Sequence, residues 1–418
     1  MINIIFLKNE FLNIKLSNHS TIVKLIYLFS ILIPPLLVSG PFLPDLLLSI
    51  IGILFIIHTI KHGTKNLTKY TNLIYFFIIC YVVLVVSALN SNFIFQSYKI
   101  IFYVRYFIYF FSIIYLLETF PNYEKTIFEI MKIIFYLLFT DSFVQFFFKK
   151  NILGIGPASI LENSMISISS FFGSEKILGS YLNRLFPFFI FLYFTTKVKI
   201  QSNYLLIMSH ILFIVTFLTN ERMSIIYSII NILMLIFFIN FNKKFKIIVI
   251  LIFSIIPIVL FSLNINNIKH KVNTSLQEVY PGKLVFYSQT HENYAISSLS
   301  IFKNNIVFGS GPKTFLPACI NEGFSWKKNQ CNNHPHNIFF QVIAETGLLG
   351  LSVYLYALFF FFKLFLNFLK NKSEKVFLIY SVFLFLNPIF LSGNLFNNWY
   401  NAISWIAIPF IFHNKNAD

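Results

Sequence analysis

The sequence predicts an all-α, polytopic transmembrane protein with about twelve membrane-crossing helices and one large extracytoplasmic helical loop. Three observations carry this. The 418 residues are 57% hydrophobic and 11% charged, with 56 Phe, and the mean hydropathy is +0.74, more apolar surface than a soluble fold can bury. Apolar runs near the ~20 residues a bilayer requires recur along the whole length. The ten-residue alternating segments of a transmembrane β-barrel do not appear.

The expected crossings are residues 21–40, 42–60, 70–90, 98–117, 127–148, 176–196, 203–219, 223–241, 245–263, 348–369, 375–392 and 397–413. They divide the chain into residues 1–263 with transmembrane helices 1–9, residues 264–347 as an extracytoplasmic loop carrying a histidine motif, and residues 348–418 with helices 10–12. Lysines cluster in four breaks: Lys61, Lys65 and Lys69; Lys197 and Lys199; Lys243, Lys244 and Lys246; Lys370, Lys372 and Lys375. Counted from a cytoplasmic N-terminus, all four breaks and both termini lie inside, as the positive-inside rule favours. The uncharged break Asn90 to Ser97 lands outside, and so, against the trend, do Lys149 and Lys150. Met1 to Ser20 has Lys8, Glu10 and Lys15 and no small-residue cleavage site, so it reads as a cytoplasmic start rather than a cleaved signal.

The formal charge of +17 would suggest nucleic acid as a partner in a soluble protein. Here the lysines between apolar runs account for it, and no nucleic-acid role is expected. Two intervals fall outside. Lys149 to Glu175 is one, and Asn264 to His336 is the long polar one, with NNIVFGSGPKTF at 304–315 and enough Ile, Leu, Phe and Tyr to fold as a helical cap. No internal repeat suggests the matched broken helices of many transporters. Cys319 and Cys331 lie in the long loop, and their spacing leaves open a bridge or two separate thiols. Zinc held by these cysteines with His334 and His336 fits no standard spacing.

The stretch HPHNIFFQVIAETGLLGL, His334 to Leu351, closes that loop. Pro335 favours a turn or first-helical-turn position, which sets His336 and Asn337 at a helix start, a place that attracts anions. A helix then runs to about Thr346, Gly347 permits a break, and Leu348 to Leu369 is long enough to cross the bilayer. The histidine is thereby placed at a membrane surface. His58 and His210, in or near crossings, read as packing groups, and His270 and His291 as loop surface.

Three arginines, Arg105, Arg184 and Arg222, stand against twenty-nine lysines. All three fall in or at the edge of crossings, where a charge costs at least ~2.5–3.5 kcal/mol near a helix centre. Counted by helical rise, they lie within ~12 Å of the outer boundary, the layer that holds His336. Pairing with Asp45, Asp141 or Glu221 is the structural alternative. An anion channel is another use for such arginines, but it has no need of the histidine or the loop.

Together, the His-Asn pair before E-x-G-x-x-G, TNERMSIIYS at 219–228, FFGSEKILGSYLNRLFP around Arg184, and NNIVFGSGPKTF resemble the signatures of the O-antigen ligase and O-antigen polymerase superfamily. The resemblance covers about residues 165–351. It implies a metal-independent, cofactor-free membrane glycosyltransferase that moves a glycan from undecaprenyl diphosphate to an acceptor on the periplasmic side of a bacterial inner membrane. The His-Asn order assigns catalysis to His336, and the resemblance assigns the phosphate-binding role to Arg222. Arg184 matches the family's other membrane arginine, while Arg105 rests on depth alone.

Lipid A core, a growing chain on a second carrier, or protein are the implied acceptors, with membrane lipid as the surroundings. Physical chemistry agrees with the roles: imidazole suits a general base near neutrality, and guanidinium suits a diphosphate. Glu345 reads as a packing or capping group rather than an orienter of the imidazole, since nine helical residues span ~13 Å. A flippase or transporter of lipid-linked oligosaccharide is the alternative of a different class.

Overall fold

The computed structural model describes residues 19–63, 65–160, 166–196, 203–239, 288–322 and 331–413. The expected crossing at 245–263, the lysine breaks at 197–199 and 243–246, and His270 lie outside the described residues. The described chain is helical: α1 (Thr21–Leu36), α2 (Phe42–His62), α3 (Thr71–Leu89), α4 (Val104–Thr119), α5 (Tyr123–Phe148), α6 (Leu178–Thr195), α7 (Asn203–Thr219), α8 (Arg222–Phe238), α9 (Gln289–Asn304), α10 (Phe315–Glu322), α11 (Ile338–Lys370), α12 (Lys375–Leu386) and α13 (Asn398–Phe412). One pair of two-residue strands, Ser159–Ile160 and Ile166–Ser167, joins antiparallel with Ser159 opposite Ser167.

Each expected crossing on described residues overlaps a helix, though not always over its full length. Among the described residues, five segments are long and apolar enough to cross a membrane: Thr21–Ser39, Phe42–His62, Leu67–Leu89, Ile94–Thr119 and Ile338–Lys370. The crossing expected at 375–392 needs correction. Helix α12 stops at Leu386, because Asn387, Pro388, Gly393, Asn394 and Asn397 break the chain before α13. Apolar side chains stay exposed in stripes at helical spacing, Leu355, Phe359, Phe362 and Leu366 on α11 and Ile53, Ile56 and Ile60 on α2. Such faces suit hydrocarbon rather than water, and the chain is a helical membrane protein.

Helix α6 is hydrophobic on all sides and is buried along almost its whole length, as its packing against α5, α7, α8 and α12 requires. Pro187 lacks the N–H that would bond the Asn183 carbonyl. Asn231 of α8 supplies the missing donor, its Nδ2 standing 3.3 Å from that oxygen. Asn231 Nδ2 also reaches Asn183 Oδ1 at 3.1 Å, and Asn183 Nδ2 reaches Thr216 Oγ1 at 3.0 Å. In an apolar bundle, such side chains satisfy backbone that proline frees.

Polar contacts gather at the two ends of the bundle. At one end Lys69 pairs with Glu118, and Lys375 Nζ donates to the carbonyls of Ile411 and His413 at 2.9 and 2.7 Å. Asp45, Arg105, Glu345 and His336 lie at the other.

There α11 bends at Gly347, whose φ is +61°. The segment before α10 docks into that bend through backbone bonds. Ser310 and Gly311 donate to the carbonyls of Ala344 and Glu345, both at 2.9 Å, and Leu348 donates to Ile306 at 2.8 Å. Gly309 (φ +68°) and Gly347 allow the approach, because a Cβ on Gly309 would collide with the backbone of Glu345 and Thr346. Gly309→Ala should therefore cost more than the ~1–2 kcal/mol of a left-handed Ala and lower the melting temperature. Gly154→Ala, at φ +79° with open space around it, is the control. Equal melting temperatures for the two variants would count against the docking.

Candidate functional site

His336 stands one residue before the N-cap of α11 with φ +57°, a left-handed conformation uncommon for a residue with a Cβ and often kept at functional sites. Asn337 is the cap: its Oδ1 accepts from Phe340 N at 3.1 Å, and its Nδ2 donates to the Pro388 carbonyl at 2.8 Å. Ser392 N donates to the His336 carbonyl at 2.8 Å. The strained residue is thus clamped between its own helix and the 387–397 segment.

Asn332 Nδ2 lies 2.9 Å from His336 Nε2. The His334 ring is 4.1 Å from the His336 ring, centroid to centroid. The rings of His291 and Tyr294, both on α9, each lie 5.7 Å from that of His336. Reading His291 as loop surface is therefore corrected. Ser288 caps α9 and its Oγ sits 2.7 Å from His291 Nδ1. Burial pushes His336 down to about 4, with the neighbouring His291 adding to the effect. Burial and His336 push His334 down to about 3. Both imidazoles are neutral at physiological pH.

Glu345 is fully buried and acts as a cap and brace. Its Oε1 accepts from Phe315 N at 2.8 Å at the start of α10, and its Oε2 accepts from Gln341 Nε2 at 3.0 Å. Gln341 passes the link on to Asn394 Oδ1 at 2.7 Å and accepts from Leu395 N at 2.9 Å. Cys319 of α10 is joined to Cys331 by a disulfide, Cα to Cα 5.9 Å, which leaves neither thiolate for zinc.

The arginines differ in setting. Arg105 pairs with Asp45 at 2.6 Å, Tyr106 OH donates to Asp45 Oδ1 at 3.2 Å, and Asn398 Nδ2 donates to Asp45 Oδ2 at 3.0 Å. For Arg105, the structural alternative is the one observed. Arg184 is buried and among the described residues points at no carboxylate: Nη1 donates to the Leu384 carbonyl and, at 3.1 Å, to Tyr400 OH. Its guanidinium lies over the rings of Tyr227, Phe385 and Tyr400, 4.9–5.3 Å from their centroids. Arg222 is exposed at the first residue of α8. Of the remaining carboxylates, Glu221 accepts from Gly179 N at 2.7 Å and Ser180 N at 2.9 Å and caps α6, while Asp141 accepts from Ile152 N at 2.8 Å and from Ser170 Oγ.

The 387–397 segment is what these residues share. It bonds His336 and Asn337, its Leu391 carbonyl accepts from Tyr227 OH at 3.4 Å, and its two flanks reach Arg184 through Leu384 and Tyr400 and the Arg105 pair through Asn398. Sequence reading missed it, although its Asn, Pro and Gly breakers were the signal. Lys313, at φ +66°, was missed too: burial, then the Arg105 guanidinium, push its ammonium down. An apolar cavity of about 210 Å³ opens between α3, α4, α11, α12 and α13, walled by Phe77, Phe107, Tyr354 and Trp405 and reaching Tyr400, the ring under Arg184.

Fold and site together define a helical membrane protein with a histidine-bearing polar centre at one end of its bundle. Residues 207–355 match the family model described as O-antigen ligase, a similarity that supports a place in the O-antigen ligase/polymerase family and a role in surface-polysaccharide glycan transfer. The matched residues contain Arg222, the 304–315 segment, His336 and Glu345, whereas Arg184 and Arg105 lie before them. No curated protein matches the chain.

Proposed function

We propose that the protein transfers a glycan from undecaprenyl diphosphate to an acceptor hydroxyl on the extracytoplasmic face of the inner membrane. The observation that carries this is the O-antigen ligase match over residues 207–355, within which His336 is held neutral beside a polar wall. His336 takes the proton of the acceptor hydroxyl as its oxygen attacks the anomeric carbon. The bond from that carbon to the diphosphate breaks, and undecaprenyl diphosphate leaves with the electron pair. Arg222, at the exposed start of α8, offsets the charge on the leaving group, while Arg105, paired with Asp45, and Arg184, bonded to the Leu384 carbonyl and Tyr400, brace the helices beside it. The apolar cavity beside Tyr400 suits a lipid-linked donor, because its walls are nearly all hydrocarbon.

In this reading residues 264–347 lie outside, and the lysine breaks at 61–69 and 370–375 are cytoplasmic. Guanidinium charge serves where other diphosphate enzymes use a divalent cation, so excess EDTA should leave transfer intact. Abolition by EDTA that magnesium or manganese reverses would contradict it. The decisive test supplies purified protein in nanodiscs with a polyprenyl-diphosphate glycan and with lipid A core or a second carrier-linked glycan. Transfer to the core marks a ligase and elongation on the carrier a polymerase. Movement of the lipid-linked donor across vesicles without transfer would replace this reading with a flippase.

A further inference from the structure

The Asn332 carboxamide has its direction set by its own neighbour. Asn333 N donates to Asn332 Oδ1 at 2.7 Å, so the NH₂ group is the end that faces His336 Nε2 at 2.9 Å. An amide NH₂ only donates, hence Nε2 accepts and a neutral His336 carries its proton on Nδ1. Nε2 thus holds the one ring lone pair that can take a proton, and an N–H of Asn332 already occupies it. A hydroxyl deprotonated by this imidazole must place its own donor O–H within ~2.6–3.2 Å of the same lone pair.

Resting on the base reading of His336, we infer that the Asn332 amide occupies the subsite of the acceptor hydroxyl and is displaced when the acceptor binds. The subsite is walled by rings. Tyr294 and His291 of α9 lie 5.7 Å from the imidazole, and His334 lies 4.1 Å away on the other element of the loop. Aromatic walls beside a hydrogen-bonding nitrogen suit the apolar face and hydroxyl edge of a sugar ring. The segment bearing Asn332 is anchored immediately upstream by the Cys319–Cys331 disulfide, and α10, which holds Cys319, is tied to α11 by Glu345. The displacement is therefore confined to the Asn332 side chain and its local turn, and the amide acts as a placeholder that an acceptor competes against.

The test compares wild type, Asn332→Ala, Asn332→Ser, Asn332→Asp and His336→Ala in transfer from a polyprenyl-diphosphate glycan to a saccharide acceptor. Removing one competing neutral hydrogen bond should lower the acceptor KM about 2–10-fold in the Ala and Ser variants, with the donor KM and kcat held. Asp demands a donor from Nε2 and moves the ring proton there, so Asn332→Asp should lower kcat and raise the acid limb of the pH profile. His291, His334 and Tyr294 are the titratable groups facing that ring and are unchanged throughout. Lower kcat with an unchanged acceptor KM in both the Ala and Ser variants would make Asn332 an orienting group and overturn the placeholder. A fully active His336→Ala enzyme would instead remove the base reading itself.

Discussion

Replacing His336 with Ala is expected to lower turnover about 10²–10⁴-fold, the range of general acid–base catalysis, while donor affinity is retained. The side chain lies in the loop before α11 and is only partly buried, and its backbone anchors are the Ser392 bond to its own carbonyl and the Asn337 cap. Truncation leaves those in place, so a loss of activity with an unchanged melting temperature is the signature of chemistry and not of folding. The pH dependence gives a second reading. A base must be neutral, so activity is present above its pKa and lost as pH falls through it. Burial and His291 hold His336 at about 4, and the acid limb of kcat/KM should lie well below the ordinary histidine value of 6.5. His291→Ala removes a like charge and should move that limb upward. His334→Ala, whose ring packs 4.1 Å from His336, should show a smaller loss than His336→Ala. Full activity of His336→Ala, or an acid limb near 6.5 that ignores His291, would sink the assignment.

Much of this arrangement was legible in the residues. The length of the apolar runs located the helices, and the order His336, Asn337, Gly347 gave the cap, the bend and the crossing of α11, because each residue type has a local physical preference that tertiary context did not need to override. Glu345 was readable as a cap for the same reason of distance: helical rise put it too far from the imidazole. What sequence could not supply were contacts between remote elements. Nothing local to His291 or Asn332 says that α9 and the residues after Cys331 meet at His336. The pairing of Arg105 with Asp45 and the absence, among the described residues, of a carboxylate at Arg184 depend on which helices are neighbours. The run Asn387 to Asn397 was hidden by its apolar residues Ile389, Phe390, Leu391, Leu395 and Phe396, which extend a hydropathy window across breakers that end the helix.

Arg184 and Arg222 should fail in different ways when replaced, since one is built into the bundle and the other lies on its rim. Arg184→Ala removes the donor to the Leu384 carbonyl and Tyr400 OH and leaves space under three rings. Unsatisfied buried acceptors cost about 1–3 kcal/mol each, so the variant should melt at a clearly lower temperature and lose activity with it. Arg184→Lys keeps the charge but neither the planar group over the three rings nor the Nε donor to Ser180 Oγ, and should recover only part of the stability. Arg222 is exposed at the N-terminus of α8, and its role is read from donor binding. If it grips the diphosphate, Arg222→Ala forfeits a charge-assisted bond worth about 1.5–3 kcal/mol, read as about 10–150-fold weaker donor binding. Arg222→Lys should restore part of that affinity. Donor titration and thermal denaturation on the same four proteins separate the roles: wild-type donor affinity in Arg222→Ala would take that arginine out of the donor site, and an unaltered melt in Arg184→Ala would show that its buried contacts do not hold α6, α12 and α13 together.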